Sequence, residues 1–283
     1  MPCRNRREAT AISPRFRRIV RRCLGIATVA SIAAFLSIPT VVVFAVSVNP
    51  GEILSFPPDG FSLRWYVHAI TYPQFRRAIT NSLWVTTIST LLALPIGAAA
   101  ALALERRRPP GHQFFAGLFL SPLIIPGVVL GLGLLILAAA GGWVRSAWNL
   151  VLAHVIVALP FVIRSVWVSL KNLDPMLERA AASLGATPLR TFFTVTLPLL
   201  KPGLLAGVLF CVVISFNEFV VSLFISNRLT EILPVAMFNY IRNYTDPTIA
   251  AASTMLILAT VVVVLAADRV IGMSKILQIQ EER

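Results

Sequence analysis

The stretch "LDPMLERAAASLGATPLRTFFTVTLPLLKPG", Leu173 to Gly203, is a polar, proline-bracketed insert in a chain otherwise built of long apolar runs. Its local chemistry spells two short helices. Asp174 is placed to cap the first, Pro175 fills its first turn, and Gly185 is placed to end it in a left-handed conformation. Thr187 and Pro188 repeat the start signal, and Leu197-Pro198 closes the second helix. Leu177, Ala180, Ala181 and Leu184 share one face at i, i+3, i+4 and i+7 spacing, and Leu189, Phe192, Phe193 and Thr196 do the same on the second helix. Such a pair needs something to bury its apolar face against. The residues leave two choices open: the membrane surface and neighbouring loops, or a groove on a partner.

The surroundings of this insert place it in a membrane protein. The chain is 57% hydrophobic and only 13% charged, with a mean hydropathy of +0.80, whereas soluble domains carry about a quarter charged residues. Spanning the hydrocarbon core takes about twenty apolar residues. Six segments qualify: Leu24–Val48, Thr80–Leu104, Phe114–Ala140, Asn149–Val168, Leu204–Ile225 and Ile249–Ala267. The first follows a basic stretch, but its apolar run is far longer than the roughly 7–15 residues of a signal-peptide core, so an uncleaved span is expected. Pro95, Pro126 and Pro160 lie inside spans and predict kinks. Gly127 with Gly131, and Ala93 with Gly97 and Ala101, make small-xxx-small rows suited to close helix contact.

Charge gives the orientation. The net charge is +13, and eight arginines lie between Arg4 and Arg22, ahead of the first span. Arg without aromatic interleaving reads as a topology signal rather than a nucleic-acid arm. With the N-terminus inside, eighteen Lys and Arg fall on cytoplasmic segments, among them Arg106–Arg108, Lys171, Arg179, Arg190, Lys201, Arg269, Lys275 and Arg283. Six fall outside: Arg64, Arg76, Arg77, Arg145, Arg228 and Arg242. Both termini are therefore expected in the cytoplasm, and so is the insert.

Little else in the sequence carries chemistry. Cys3, Cys23 and Cys211 are scattered, and His68, His112 and His154 form no ligand pair, so all six are expected to be structural or incidental. Each lysine follows Leu or Ser, so no G-x-x-x-x-G-K-[ST] phosphate loop exists and any ATPase must be another polypeptide. No nucleophile elbow or catalytic carboxylate pair appears, which points away from an enzyme. Glu218 is the exception within a span. With Cys211, Ser215 and Ser222 it follows helical spacing and makes a polar stripe. A charge near mid-bilayer costs about 2.5–3.5 kcal/mol on insertion scales, so it should face the bundle interior or a watery cavity. Two roles stay open for it: lining a substrate path with Ser215, Asn217 and Ser222, or packing the bundle.

The insert resembles the EAA loop of permease subunits of ATP-binding-cassette (ABC) importers. That pattern is Glu-Ala-Ala, three residues, Gly, nine residues, an aliphatic residue, one residue, Leu-Pro. Ala180, Ala181, Gly185, Val195, Leu197 and Pro198 match it, while Arg179 occupies the Glu position and Glu178 precedes it. The phrases "NSLWVTTISTLLALPIGAAAALALER", "SPLIIPGVVLGLGLLIL", "ISFNEFVVSLFIS" and "LPVAMFNYIRNYTDPTIAAAST" are similar to the spermidine/putrescine permease group, PotC-like, over about Pro57 to Leu277.

The resemblance implies an all-α polytopic membrane protein of the type I importer kind, with six transmembrane helices. The implied layout is a basic cytoplasmic segment (1–23), a permease domain (24–271) with a coupling loop at about 171–203, and a cytoplasmic tail (272–283). The implied partners are cytoplasmic ATP-binding subunits, a second homologous permease, an external substrate-binding protein and the bilayer. ATP would be bound by the partner subunits, with no cofactor on this chain. The loop, through Glu178, Arg179, Ala180, Ala181, Gly185, Leu197 and Pro198, would couple to the ATPase. A carboxylate at Glu218 suits a cationic polyamine, and Asn217 stands where related chains often have Asp. The same architecture importing another small organic solute is the nearest alternative. A channel or membrane enzyme needing no ATPase is the further one.

Overall fold

Residues 14–107, 110–144 and 146–271 of the chain are described in a computed structural model. The basic residues Arg4, Arg6, Arg7, Arg108, Arg145, Lys275 and Arg283, together with Cys3, lie outside the described residues. So do most of the N-terminal segment and the 272–283 tail.

In a hydrocarbon environment every backbone N–H and C=O must find a partner within its own segment, so apolar runs fold as helices. The long ones are α1 (Pro14–Ser47), α3 (Pro73–Leu102), α6 (Ala147–Lys171) and α13 (Thr248–Ile271). Short elements lie between them: α2 (Arg64–Thr71), α4 (His112–Leu120), α5 (Gly127–Ala140), α7 (Pro175–Ser183), α8 (Pro188–Thr191), α9 (Leu197–Leu199), α10 (Lys201–Asn217), α11 (Val220–Ile225) and α12 (Leu233–Ile241). Among the described residues four helices are long and apolar enough to cross a bilayer, and six spans result if two bent pairs, His112–Leu123 with Gly127–Ala140 and Pro188–Leu199 with Lys201–Asn217, each count as one. The described residues thus form an all-α polytopic fold.

Two expected spans are not straight helices. The run Phe114–Ala140 bends by 103° between a segment ending at Leu123 and α5. Pro126 sits at that bend in an extended conformation: it has no N–H to give, and it disfavours a helical residue before it. The run Leu204–Ile225 is interrupted at Glu218 and Phe219, so the single helix expected there is α10 followed by α11. By contrast Pro95 and Pro160 stay inside uninterrupted helices.

The core is the packing of α3, α6 and α10, and small residues make it possible. Val162 of α6 is fully buried. A Cβ added at Gly97 of α3 would lie 2.6 Å from its Cγ1, and one at Gly207 of α10 would lie 3.4 Å away. One valine therefore fills notches in two neighbouring helices. Ala93 and Ala101, on the same row as Gly97, are completely buried. Gly203 meets Ser169 and the Ser165 carbonyl in the same manner. The other expected row also packs: a Cβ at Gly131 would lie 2.8 Å from Phe224, and one at Gly127 3.1 Å from Val220, which joins α5 to α11. Lipid supplies no hydrophobic drive between helices, so this close approach is the source of cohesion. A second cluster, with Phe75, Met237 and Tyr240 at its centre, joins the starts of α3 and α13 to α12.

Gly97→Val should overpack the α3–α6 contact by about 1–3 kcal/mol and lower the melting temperature of the purified protein. Gly133→Val, where no atom lies within 4 Å of the added Cβ, should leave it unchanged. Equal melting temperatures for the two variants would show that this contact does not limit stability.

Candidate functional site

The insert folds as its local chemistry dictates. The Asp174 carboxylate accepts from Met176 N–H at 2.8 Å and caps α7. Gly185 follows with φ +85°, a region costly for a residue with a Cβ. Thr187 caps α8 through Arg190 N–H. The second helix runs further than expected. It passes through a π-helical turn at Phe192–Thr196 and includes Pro198 in the first turn of α9. A proline ring clashes with the carbonyl four residues earlier, and the wider turn just before Pro198 is where such a clash is relieved. The chain then turns by 62° into α10 at Leu200.

Glu178 ties this loop to the bundle. Arg106, just past the end of α3, donates from Nη1 to Oε2 at 2.6 Å, and its Nη2 lies 2.5 Å from Oε1. Thr196 Oγ1 donates to Oε1 as well, and Thr196 is itself buried. The carboxylate therefore joins three segments: α7, the π turn and the end of α3. Burial pushes the Glu178 carboxyl up, but hydrogen bonds from Arg106 and Thr196 and the Arg106 charge outweigh it, so its pKa lies below the ordinary value. A charge-assisted hydrogen bond contributes about 1.5–3 kcal/mol. The Arg106 side chain is 35% exposed, and solvent screening brings the pair to the lower end. Beside it, Trp167 Nε1 donates to Glu105, and the Lys171 ammonium lies 4.7 Å from the Trp167 ring centroid. A pocket of about 690 Å³ opens between Ala99, Leu102 and Ala103 of the α3 end and Ala182, Thr191 and Phe192 of the loop.

With the loop pinned from within, its other side is bare. Leu184 is 89% exposed, and Met176, Leu177, Leu189 and Phe193 are exposed with it. Arg179 and Ala180 are exposed, and Ala181 and Leu197 are half-buried. Within the membrane-spanning region, Ser215 and Ser222 are buried and face His154. His154 Nδ1 lies 2.7 Å from Ser215 Oγ and Nε2 2.9 Å from Ser222 Oγ. Thr86 Oγ1 of α3 is 3.0 Å from Ser215 Oγ. Asn217 turns the other way, exposed, beside a pocket of about 360 Å³ that Thr87 and Thr260 also line. Glu218 is half-buried at the break, where its Oε1 accepts from Val221 N–H at 2.8 Å and caps α11.

Residues 93–273, well over half of the chain, match the family described as binding-protein-dependent transport system inner membrane component. The chain belongs to this family. It is a non-catalytic, multi-pass inner-membrane permease component of an ABC import system. Two Escherichia coli K12 relatives cover most of it. The spermidine/putrescine transport system permease protein PotC is 29% identical over 84% of this chain and 90% of its own length. The putrescine transport system permease protein PotI is 32% identical over 79% and 82%. The molybdenum transport system permease protein ModB of Haemophilus influenzae is 36% identical over 58% of this chain and 79% of its own. The fold is similar to a chain in the crystal structure of a bacterial alginate ABC transporter in complex with a pentasaccharide-bound periplasmic protein. That match has a TM-score of 0.70 and 16% identity, covering 89% of this chain and 94% of that one.

In the permease the expected site residues separate into four places, with Glu218 alone at the helix break. The loop residues gather at one end of the bundle. Ser215 and Ser222 face inward to His154, and Asn217 lies on a different surface from them. The uninterrupted polar stripe expected through Cys211, Ser215, Glu218 and Ser222 does not form, because the helix stops at Glu218. Arg106, Thr196 and His154 are the contributors that sequence reading did not single out for the site. Arg106 is one of three consecutive arginines, and nothing local distinguishes it from its neighbours.

Because the folded Glu178 carboxyl titrates below its unfolded value, its contribution is complete above about pH 4.3 and is lost as pH falls through the lower folded value. Glu178→Gln should therefore melt several degrees below wild type at pH 7, and the gap should narrow as pH falls below about 4.3, closing only once pH lies below the folded value. A gap of the same size at every pH from 7 down to 3 would trace the loss to packing rather than to the charge.

Proposed function

We propose that this permease imports a polyamine, spermidine or putrescine, and that the Leu173–Gly203 loop receives the motion of separate ATP-binding subunits. The observation that carries the coupling role is the pairing of the two sides of the loop. Glu178 anchors one side to α3, while Met176, Leu177, Leu184, Leu189 and Phe193 stand exposed on the other. An apolar helix face presented this way suits docking into a groove. The loop residues Arg179, Ala180, Ala181 and Gly185 belong to the same docking element, with Leu197 and Pro198 leading back into the bundle. The complex would hold a second permease subunit, two ATP-binding subunits and an external binding protein. Both termini and the loop lie on the cytoplasmic side, as the excess of Lys and Arg there requires.

Leu184→Asp should abolish co-purification with the ATP-binding subunits and reduce uptake at least tenfold, while insertion and melting temperature stay unchanged. Gly185→Val, which strains a left-handed turn, should act in the same direction. A cysteine at position 184 should react with a membrane-impermeant maleimide only from the cytoplasmic side. Normal ATPase binding by Leu184→Asp would remove the coupling assignment, and labelling from outside would reverse the topology.

The polyamine reading rests on PotC and PotI, which cover most of the chain, and on Glu218 at a helix break. The similarity to a molybdenum permease favours a second reading, in which the same architecture carries a different small solute. Uptake by the reconstituted complex of labelled spermidine, putrescine and molybdate decides between them. Glu218→Gln keeps an oxygen to cap α11 but removes the charge. It should cut polyamine uptake at least tenfold with assembly intact if the carboxylate meets the cation, and wild-type uptake would leave Glu218 as a cap alone.

A further inference from the structure

The half of α6 nearest the loop carries one charge that the bundle does not answer. Arg164 lies seven residues before the helix ends at Lys171, about 10 Å of rise, and it is exposed. Among the described residues no carboxylate lies within 4.0 Å of its guanidinium, and no hydrogen bond reaches it. Trp167, one turn on, marks the depth. Its Nε1 donates to Glu105 and the Lys171 ammonium lies over its ring, the setting of an amphipathic ring at the membrane–water boundary. Arg164 therefore starts just inside the hydrocarbon, within reach of the boundary for its long side chain. A groove of about 710 Å³ begins at this arginine and runs between α6 and α10 to the loop. Val168, Pro202, Ala206 and Phe210 form its walls, and Leu177 of α7 lies at its far end. Ser169 and Asn172 continue the polar strip from Arg164 along α6, and their side chains make no hydrogen bond among the described residues. One carboxylate shares the groove. Asp174 lies at its mouth, beyond the helix end and more than 4.0 Å from the Arg164 guanidinium, and caps α7 through Met176 N–H. The exposed Lys201, next to Pro202 on the same rim, offsets it.

We propose that this groove holds an anionic phospholipid, its phosphate on Arg164, Ser169 and Asn172 and an acyl chain descending along Ala206 and Phe210. That the lipid belongs to the cytoplasmic leaflet rests on the orientation proposed above. An apolar wall with a cationic strip at boundary depth is complementary to an amphiphile. The phosphate answers the guanidinium through forked, charge-assisted hydrogen bonds, and the chain covers the wall. Basic pockets between helices at this level take such headgroups. A soluble anion satisfies only the strip, and a polyamine is repelled by Arg164. Because the groove ends against Leu177, a lipid seated there packs beneath α7 and braces the loop against α6 and α10.

The test places the complete complex in nanodiscs, titrates phosphatidylglycerol into phosphatidylcholine, and follows melting temperature and, by native mass spectrometry, the lipid retained. Wild type should melt several degrees higher as phosphatidylglycerol rises and should retain it. Arg164→Gln should weaken the apparent phosphatidylglycerol affinity at least about fivefold and lose most of that rise. In pure phosphatidylcholine it should melt no lower than wild type. Ala206→Leu, which narrows the groove and leaves the charge, should lose the lipid as well. Arg190→Gln removes an exposed arginine of the loop that does not line the groove and should behave as wild type. Unchanged lipid retention in Arg164→Gln or in Ala206→Leu overturns the inference. An equal loss in Arg190→Gln also overturns it, as the mark of diffuse attraction to a basic surface. So does inorganic phosphate that stabilises the complex in pure phosphatidylcholine as well as the lipid does. A permease pair that dissociates in Arg164→Gln with lipid retention unchanged gives the arginine to a carboxylate of the second subunit instead. These readouts involve neither substrate nor ATP, so their failure leaves the permease reading standing, and the labelling at position 184 tests the leaflet separately.

Discussion

The contact between Arg106 and Glu178 is the point at which the loop becomes part of the bundle. Both terminal guanidinium nitrogens meet the carboxylate, and Thr196 completes it from the second arm of the loop. Without this junction α7 and α8 would be isolated helices of nine and four residues, too short to hold a shape in water on their own. With it, the loop is fixed to the end of a 30-residue helix, which at a 1.5 Å rise per residue runs about 45 Å through the membrane region. The exposed face of the loop is therefore tied to α3 through a charged, partly buried link rather than through a flexible tether.

The bundle to which the loop is joined is built of two parts. In α3, α6 and α10, glycines and alanines allow close approach, and Val162 fills the notches. The pair α5 and α11 is joined in the same way through Gly127 and Gly131. His154 spans the seam: one ring nitrogen reaches Ser215 near the end of α10, and the other reaches Ser222 in α11. The break between those helices leaves backbone groups without helical partners, and the Glu218 carboxylate satisfies one of them at Val221. Polar side chains in this region thus hold an interrupted helix in place. Their burial also explains why serines with helical spacing in the sequence need not face a solute.

The two ends of α3 differ in electrostatic character. At the loop end, an arginine is neutralised by a glutamate and a tryptophan N–H is taken up by Glu105. At the far end, the neutral amides of Gln74 and Asn239 hold the Glu231 carboxylate, which shares its pocket with Arg77, Arg228 and Arg242. A paired charge suits a permanent internal joint.

The sequence by itself determined the features that depend on near neighbours or on composition. Apolar length set the long helices, Asp174 and Thr187 set two caps, Gly185 set a left-handed turn, and the spacing of Gly97, Gly127 and Gly131 set the close-packed faces. Each follows from a few adjacent residues or one helical period, so no knowledge of the partner surface was needed. The tertiary structure decided the rest. Which of three consecutive arginines meets Glu178, 72 residues away, depends on how far α3 runs and how it is rotated. Whether Ser215 faces a cavity or His154, 61 residues away, depends on the packing of α10 against α6. The interruption at Glu218 was hidden because its surroundings are as apolar as a continuous helix would be. Three arginines from segments about 150 residues apart in the chain meet at one opening only because α12 folds back onto the start of α3. Helix rotation and long-range packing fix these contacts, and neither is encoded in any local pattern.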